Sequence, residues 1–520
     1  MTQWHSAHPD ARPVGQAWLR RELDLPVPAP AVESHVVPGA RRTVMHGARV
    51  REEYPPHYAP GESFARQLRF TLRHEPFDLR LLAAAFRKID AATLEKWVRS
   101  EPTGAYSRRA WFLYEVLTGR MLDVGDARSG NYVQALDPKR FVVAARRNSR
   151  RHRVIDNLLG GPALCVTVRR TPRLLRGMAT RIDEEARSLC EAVDRNLLTR
   201  AVDYLYTRET RSSFAIEGEK PSSRRAARFV RALADAAAFD PRDKDALVRL
   251  QGLIVDPRYA ATGWREDQNF VGRTGAGFRE EVHFVCPRPD DVPSLMTGWM
   301  ELTGRVSHES VPPVVAAAVS SFAFVLIHPF DDGNGRIHRF LIHHMLASRG
   351  YTAPDFILPV SAAILRDRRG YDRVLESFSR PSLEFVDWRW DRDRRLVVEG
   401  DTRHLYRFID MTEFAEYLHD RVADAVRHDL REELGFIAAF DRAFRAVSEI
   451  VDMPDRRTSL LIRLCVQNGG RLSARKRPAF RELGDGEVAA IESAIENAFS
   501  AGPGAPGVLS PDPHGAGGAG

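Results

Sequence analysis

The run from His328 to Phe340, HPFDDGNGRIHRF, constrains this chain more than any other stretch. An apolar segment, Val311 to Ile327, leads into His328-Pro329, and proline disfavours helical geometry in the residue before it, so a helix is expected to end there. Asp331-Asp332-Gly333-Asn334-Gly335 then forms a tight loop, whose glycines permit positive φ and leave backbone N–H groups unscreened. A second helix is expected to start near Arg336, turning its free N–H groups and positive dipole end toward the same loop. That is an anion site built from backbone alone. The side chains extend it. Arg336 and Arg339 lie three positions apart on the first turn, with guanidinium forks suited to phosphate oxygens. Asp332 offers the hard carboxylate oxygen that Mg²⁺ takes together with phosphates and water. His328 stands where the first helix meets the loop, and an imidazole there can take a proton from an attacking hydroxyl. Cradle, metal ligand and base together describe phosphoryl chemistry.

Other classes of protein fit less well. At 520 residues the chain is too long for one ordinary core, and two or three domains are expected. Its 43% hydrophobic and 28% charged residues describe a globular chain, neither disordered nor fibrous. The Val311–Ile327 segment carries Ser320 and Ser321 and falls short of the ~18–20 residues of a bilayer span, so it reads as a buried core helix and no membrane partner is expected. The start, MTQWHSAHPD, lacks a basic n-region and an apolar h-region, which points to a cytoplasmic protein. Cys165, Cys190, Cys286 and Cys465 stand far apart without a C-x-x-C pair, which argues against a disulfide framework or zinc knuckle. The net charge of +8 suits an anionic partner such as a nucleotide without demanding nucleic acid.

Along the chain, residues 1–60 read as irregular or partly extended, and 61–190 as a helical domain. Residues 191–380 hold the loop just described, 381–500 read as a helical C-terminal domain, and the Gly/Pro/Ala-rich 501–520 as a disordered tail. Arg146, Arg147, Arg150, Arg151 and Arg153 form a basic knot, read as a solvated helix face or an internal ion-pair network. Val271 to Val285 has β-branched and aromatic residues on both sides of a Gly-rich turn, the pattern of a hairpin. Trp388 to Glu399 is read as a connector. His338, His343 and His344 lack the i, i+4 spacing that puts two imidazoles on one helical face, and are read as solvated or core residues. Leu460 to Phe499 reads as helix, turn, short basic helix and helix, with Arg471, Arg475, Lys476, Arg477 and Arg481 in the middle; a structural cap and a winged-helix-like DNA contact both remain open.

The central run resembles the Fic (Fido) family signature HxFx(D/E)GNGRxxR, matching it at His328, Phe330, Asp332, Gly333, Asn334, Gly335, Arg336 and Arg339. The resemblance implies a mostly α, helical Fic fold with a short β-hairpin flap and helical accessory regions. It implies transfer of AMP from ATP to a Ser, Thr or Tyr hydroxyl of a target protein. His328 would be the general base and Asp332 the Mg²⁺ ligand. Gly333, Asn334 and Gly335 would cradle the α/β-phosphates, Arg336 and Arg339 would grip the β/γ end, and Phe330 would anchor the loop in the core. Upstream, Ser213, Glu217 and Gly218 resemble the family's inhibitory motif (S/T)xxxE(G/N), in the class where it precedes the catalytic core. By competition, a Glu217 carboxylate reaching Arg339 would occupy the space of the γ-phosphate. The hairpin from Val271 to Val285 resembles the flap that holds an extended target segment by main-chain pairing. Tyr371 and Leu375 fall at base-pocket positions, although Asp372 stands where many members carry a second aromatic. Removal of AMP, transfer of another phosphate-linked group, a DNA-binding regulator with a nucleotide-sensing core, and a homo-oligomer remain open alternatives.

Overall fold

A computed structural model of the chain describes residues 11–46, 49–193, 195–274, 280–352 and 356–500. The expected tail, 501–520, lies outside the described residues. The chain divides into two compact units. One comprises Met1–Thr180, Arg211–Tyr351 and Ile364–Arg421, the other Arg181–Thr210, Thr352–Ala363 and Val422–Gly520. The architecture is mostly helical, as expected, with small sheets. Among the described residues no helix is long and apolar enough to cross a membrane.

The first unit begins with an element that differs from the expectation for 1–60. Strands Arg12–Val14, Val32–Val36, Arg42–His46 and Arg49–Tyr54 form a four-stranded sheet. Val32–Val36 pairs parallel with Arg49–Tyr54 and antiparallel with Arg12–Val14. Val32, Ser34 and Val36 face inward in strict alternation, but Ser34 interrupts the apolar pattern and the pairing is non-local, so local sequence signals miss it. Helices Phe64–His74, Leu79–Lys88, Ala91–Ser100 and Ala105–Thr118 follow. Asp78 caps the second of them, its Oδ1 accepting from the backbone of Arg80 and Leu81 at 2.7 and 3.2 Å. Leu68, Leu82, Phe86, Trp111 and Leu113 fill the core between these helices.

Residues 61–190 are not wholly helical, contrary to expectation. Val133–Gln134, Val154–Asp156 and Arg147–Ser149 form a small sheet, and Cys165–Thr167 pairs parallel with Phe408–Asp410. The arginine knot therefore lies on strands and turns, and no helix face carries it. Its ion-pair character holds at Arg151, which meets Glu115 at 3.0 Å and Asp126 at 2.9 Å while lying over the Trp111 ring. The supposed connector after Trp388 is a hairpin, Trp388–Trp390 with Leu396–Val398. Its charged faces hid the two-residue period.

The part of this unit that matters for chemistry is a pair of helices, Pro313–Ile327 and Asn334–Ser348. The first is buried from Val314 to Ile327, as a segment apolar on all sides must be. Helix Val292–Val306 packs on it, Trp299 Nε1 donating to Ser320 O at 2.7 Å. Phe322 lies fully buried against the rings of His338 (4.5 Å) and Phe414 (4.9 Å). The second unit has its own core of Val447, Leu461, Ile462, Phe480, Ile491 and Ile495. There Gly469 and Gly470 turn the chain with φ of 69° and 88° after helix Asp455–Gln467. Arg477 of the basic cluster donates to Phe480 O, Leu483 O and Asp485, so its fork is spent within the unit.

Phe322→Ala removes a ring from the interior of the helix pair. The expected cost is about 3–5 kcal/mol, read as a lowered midpoint in urea unfolding.

Candidate functional site

His328 ends the first helix in the left-handed region, φ 54° and ψ 58°. A residue with a β-carbon adopts this conformation only when its surroundings impose it. Arg265, 4% exposed, supplies much of the constraint. Its Nε donates to His328 O at 2.7 Å, its backbone N to Pro329 O at 2.8 Å, and its Nη2 to Pro287 O at 2.5 Å. The imidazole is oriented by Nδ1 donating to Val325 O at 3.2 Å, which leaves Nε2 as the acceptor. Burial, partly opposed by that bond, lowers the His328 pKa from 6.5 to about 4. The ring is therefore neutral at pH 7.

The loop after it is held from inside. Asn334 Oδ1 accepts from Phe330 N at 3.0 Å, and its Nδ2 donates to Phe330 O at 2.7 Å, so the whole amide is committed to the loop backbone. What Asn334 can offer an anion is its own N–H at the start of the second helix. Phe330 is fully buried against Trp264 and Phe324, the anchor expected of it. Gly333 takes φ 92° as the N-cap. Gln251 donates to Asp332 O at 3.2 Å, tying the loop to helix Lys244–Ile254.

The upstream motif reaches this loop. Helix Arg195–Ile216 ends just before Glu217, and Gly218 turns the chain with φ 72°. Arg339, 1% exposed, is gripped at three points: Nε donates to Ser213 Oγ at 2.9 Å, Nη2 to Ser213 O at 2.7 Å and to Glu217 Oε1 at 2.8 Å. Its Nη1 is buried and donates to no acceptor among the described residues. Burial works against a charged Glu217, but the Arg339 guanidinium outweighs it, with help from Arg336 and Arg368, and the pKa lies below the ordinary carboxylate value. A β-carbon on Gly335 would stand 2.1 Å from Glu217 Oε1, so the carboxylate fills the concavity that the missing side chain leaves.

Arg336, expected with Arg339 at the terminal phosphates, has its fork on two carboxylates in this structure. It is 1% exposed, its Nη2 donating to Asp332 Oδ1 at 2.8 Å and its Nη1 to Glu219 Oε2 at 3.0 Å, with its guanidinium over the Phe214 ring. Positions three apart share a helix side without pointing at the same target; here different carboxylates draw the two forks apart. Glu219, Arg265 and Gln251 were missed by sequence reasoning. Glu219 alone left a trace, as a second acid beside Gly218.

A cavity of roughly 960 Å³ opens beside His328, lined also by Glu217, Gly335, Tyr371, Leu375 and Val271. The sequence-predicted base-pocket residues are thus on its wall. Tyr371 is 5% exposed, its pKa raised to about 12 by burial, and Asp372 pairs with Arg368 at 3.0 Å. The hairpin forms from Phe270–Thr274 and Glu280–Val285, with a register shift between Val282 and Phe284. Its tip, 275–279, lies outside the described residues. Val271 is exposed on the cavity side, whereas Val285 is buried and its carbonyl accepts from Tyr406 OH at 2.7 Å. His338, His343 and His344 are core residues, and among the described residues no cluster of three His, Cys, Asp or Glu side chains could hold a metal ion alone. Asp332, with half of its side chain exposed, suits a cation that takes one carboxylate and fills its shell from phosphate and water.

Residues 241–346 match the family model described as Fic/DOC family. Two relatives named "Protein adenylyltransferase Fic" are similar over part of the chain. The one from Drosophila grimshawi is 33% identical over 130 residues, 25% of this chain and 22% of that protein. The one from Nematostella vectensis is 32% identical over 106 residues, 20% of this chain and 23% of that protein. The chain therefore spans under a quarter of the length of the curated relatives it matches. A Fic family protein of known structure from Desulfovibrio desulfuricans G20 aligns with 21% identity and a TM-score of 0.37, covering 53% of this chain and 80% of that one. The chain carries a Fic-family domain, and His328 to Arg339 lie inside the matched segment.

Asn334→Ala leaves the Phe330 backbone N–H and carbonyl without their buried partners. The expected loss is about 1–3 kcal/mol in thermal or chemical unfolding.

Proposed function

We propose that this chain is an autoinhibited protein AMP-transferase, moving AMP from ATP to a hydroxyl of a target protein. The observation that carries the reading is the Glu217 carboxylate seated on Arg339 and against Gly335, in the same cavity as His328. The adenylyltransferase name of the partial relatives agrees with it.

In this reading the target hydroxyl oxygen attacks the α-phosphorus and pyrophosphate departs with the electron pair of the broken P–O bond. The hydroxyl proton passes to Nε2 of His328, whose tautomer is preset by the Val325 carbonyl. The N–H groups at the start of helix Asn334–Ser348 and Arg339 receive the phosphates. Asp332 would hold Mg²⁺, which when bound neutralises phosphate charge. Tyr371 and Leu375 form one wall for the base. The strand Phe270–Thr274, with Val271 exposed toward the cavity, receives an extended target segment by strand addition. Glu217 opposes all this by holding Arg339 and the space beside Gly335.

With labelled ATP and Mg²⁺, Glu217→Gly is expected to raise automodification. If the pair imposes ~2 kcal/mol, the gain is roughly thirtyfold. His328→Ala in that background abolishes the label. An unchanged rate on losing Glu217 rules out its restraining role, and the mass added to modified protein identifies the group transferred.

The pH profile is a separate check. A histidine whose folded pKa is lowered stays in its basic, neutral form until the pH falls through that lowered value. With His328 near 4, the rate of Glu217→Gly should stay flat from about pH 8 to 5.5 and fall only toward pH 4, instead of halving near 6.5. Glu217 has a lowered carboxylate pKa, so its pair with Arg339 is complete above the ordinary carboxylate range and lost only below it. Mild acid therefore should not relieve inhibition in the native chain.

A further inference from the structure

Two carboxylates flank Gly218, and each takes a different arginine of the central run. Glu217 holds Arg339; Glu219 holds Arg336 at 3.0 Å and Arg225 at 3.0 Å. Arg225 is independently fixed, donating to Ile254 O from Nε and Nη2. Arg336 in turn donates to Asp332 Oδ1, to which Gly333 N also donates at 2.6 Å. The result is a continuous relay, Arg225–Glu219–Arg336–Asp332, running from helix Ser223–Ala234 to the edge of the loop. Arg336 is 1% exposed and both ends of its fork lie on carboxylates, so its charge is compensated within the relay.

We infer that Glu219 is a positioning residue, setting Arg336 so that Arg336 orients the Asp332 carboxylate toward a bound divalent cation. The inference rests on the proposed reading of the loop as a metal–triphosphate cradle, and assigns to the second acid a role opposite to that of Glu217. A buried guanidinium with two carboxylate partners is fixed in direction. Deprived of Glu219, it retains only Asp332, and the guanidinium drawn onto that carboxylate would then compete with a divalent cation for it. Partners behind a metal ligand typically change metal affinity by about 10–100-fold.

The test is calorimetric titration of Mg²⁺ into the full chain saturated with a non-hydrolysable ATP analogue. It is run on Glu217→Gly and on the same variant with Glu219→Ala or Glu219→Gln. Circular dichroism checks folding. Glu219→Ala is expected to weaken Mg²⁺ binding about tenfold, with Glu219→Gln, which keeps a hydrogen-bond acceptor, in between. Metal-free binding of the analogue should be unchanged in both, because the Arg336 guanidinium is taken up by carboxylates on the relay. In the transfer assay the Mg²⁺ concentration for half-maximal rate should rise while the rate at saturating Mg²⁺ stays close to that of Glu217→Gly. Equal Mg²⁺ affinity in Glu219→Gln and Glu219→Ala to that of Glu217→Gly overturns the inference. So does a gain of transfer when Glu219→Ala is made with Glu217 intact, which would make Glu219 a second restraint. Failure of Glu217→Gly itself to bind the analogue removes the cradle reading and this inference with it, and is thereby told apart from failure of Glu219 alone.

Discussion

Two guanidinium groups on the first two turns of helix Asn334–Ser348 are each 1% exposed, and neither could remain there uncompensated. Leaving one partner of a buried pair alone costs about 3–5 kcal/mol, more than most single contacts provide. The surrounding structure answers with carboxylates and carbonyls brought from a distant stretch of chain: Ser213, Glu217 and Glu219 for two arginines that lie well over a hundred positions later. The end of helix Arg195–Ile216, the positive φ of Gly218 and the absence of a side chain at Gly335 all follow from that requirement. Gly335 could not carry a methyl group without displacing the Glu217 oxygen.

The loop between the paired helices obeys a related constraint. It must expose N–H groups on one side while satisfying its own backbone on the other. Asn334 does the second task with both ends of its amide, Arg265 does it for His328 and Pro329, and Gln251 for Asp332. These three polar side chains, each buried, fix a strained turn that the apolar packing of Phe330 alone could not orient. Rigidity of this kind suits a site in which placing charge is most of the chemistry.

The paired helices and their loop were legible because the signals are local: an apolar run on all sides, proline after His328, glycines at the turn, arginines at the next helix start. The reach of Glu217 to Arg339 was legible only through the resemblance of Ser213, Glu217 and Gly218 to a family motif, since nothing in the spacing brings Glu217 near Arg339. The N-terminal sheet was not legible: Val32–Val36 pairs parallel with Arg49–Tyr54 past the intervening strand Arg42–His46, and Ser34 sits on its buried face. Arg265 was invisible for another reason. Its partners are backbone carbonyls, which every residue has, and so leave no mark on the sequence. The pairing of Arg336 with Glu219 was not legible, because helical spacing gives the side of the helix but not the partner.

The two arginines differ in a way that orders their roles under the proposed AMP transfer. Arg336 has two carboxylates, Glu219 and Asp332, with its face over Phe214, and only its buried Nε lacks an acceptor among the described residues. Arg339 has only one carboxylate, Glu217, itself about a third exposed, and likewise keeps one buried nitrogen, Nη1, without an acceptor among the described residues. An anion entering the cavity can therefore satisfy Arg339 better than Glu217 does, offering several oxygens where the carboxylate engages it with one. In that proposal the charge that would recruit the triphosphate is the one that draws in Glu217. Restraint and binding would then compete for one guanidinium, which Ser213 holds in place by accepting from its Nε and Nη2.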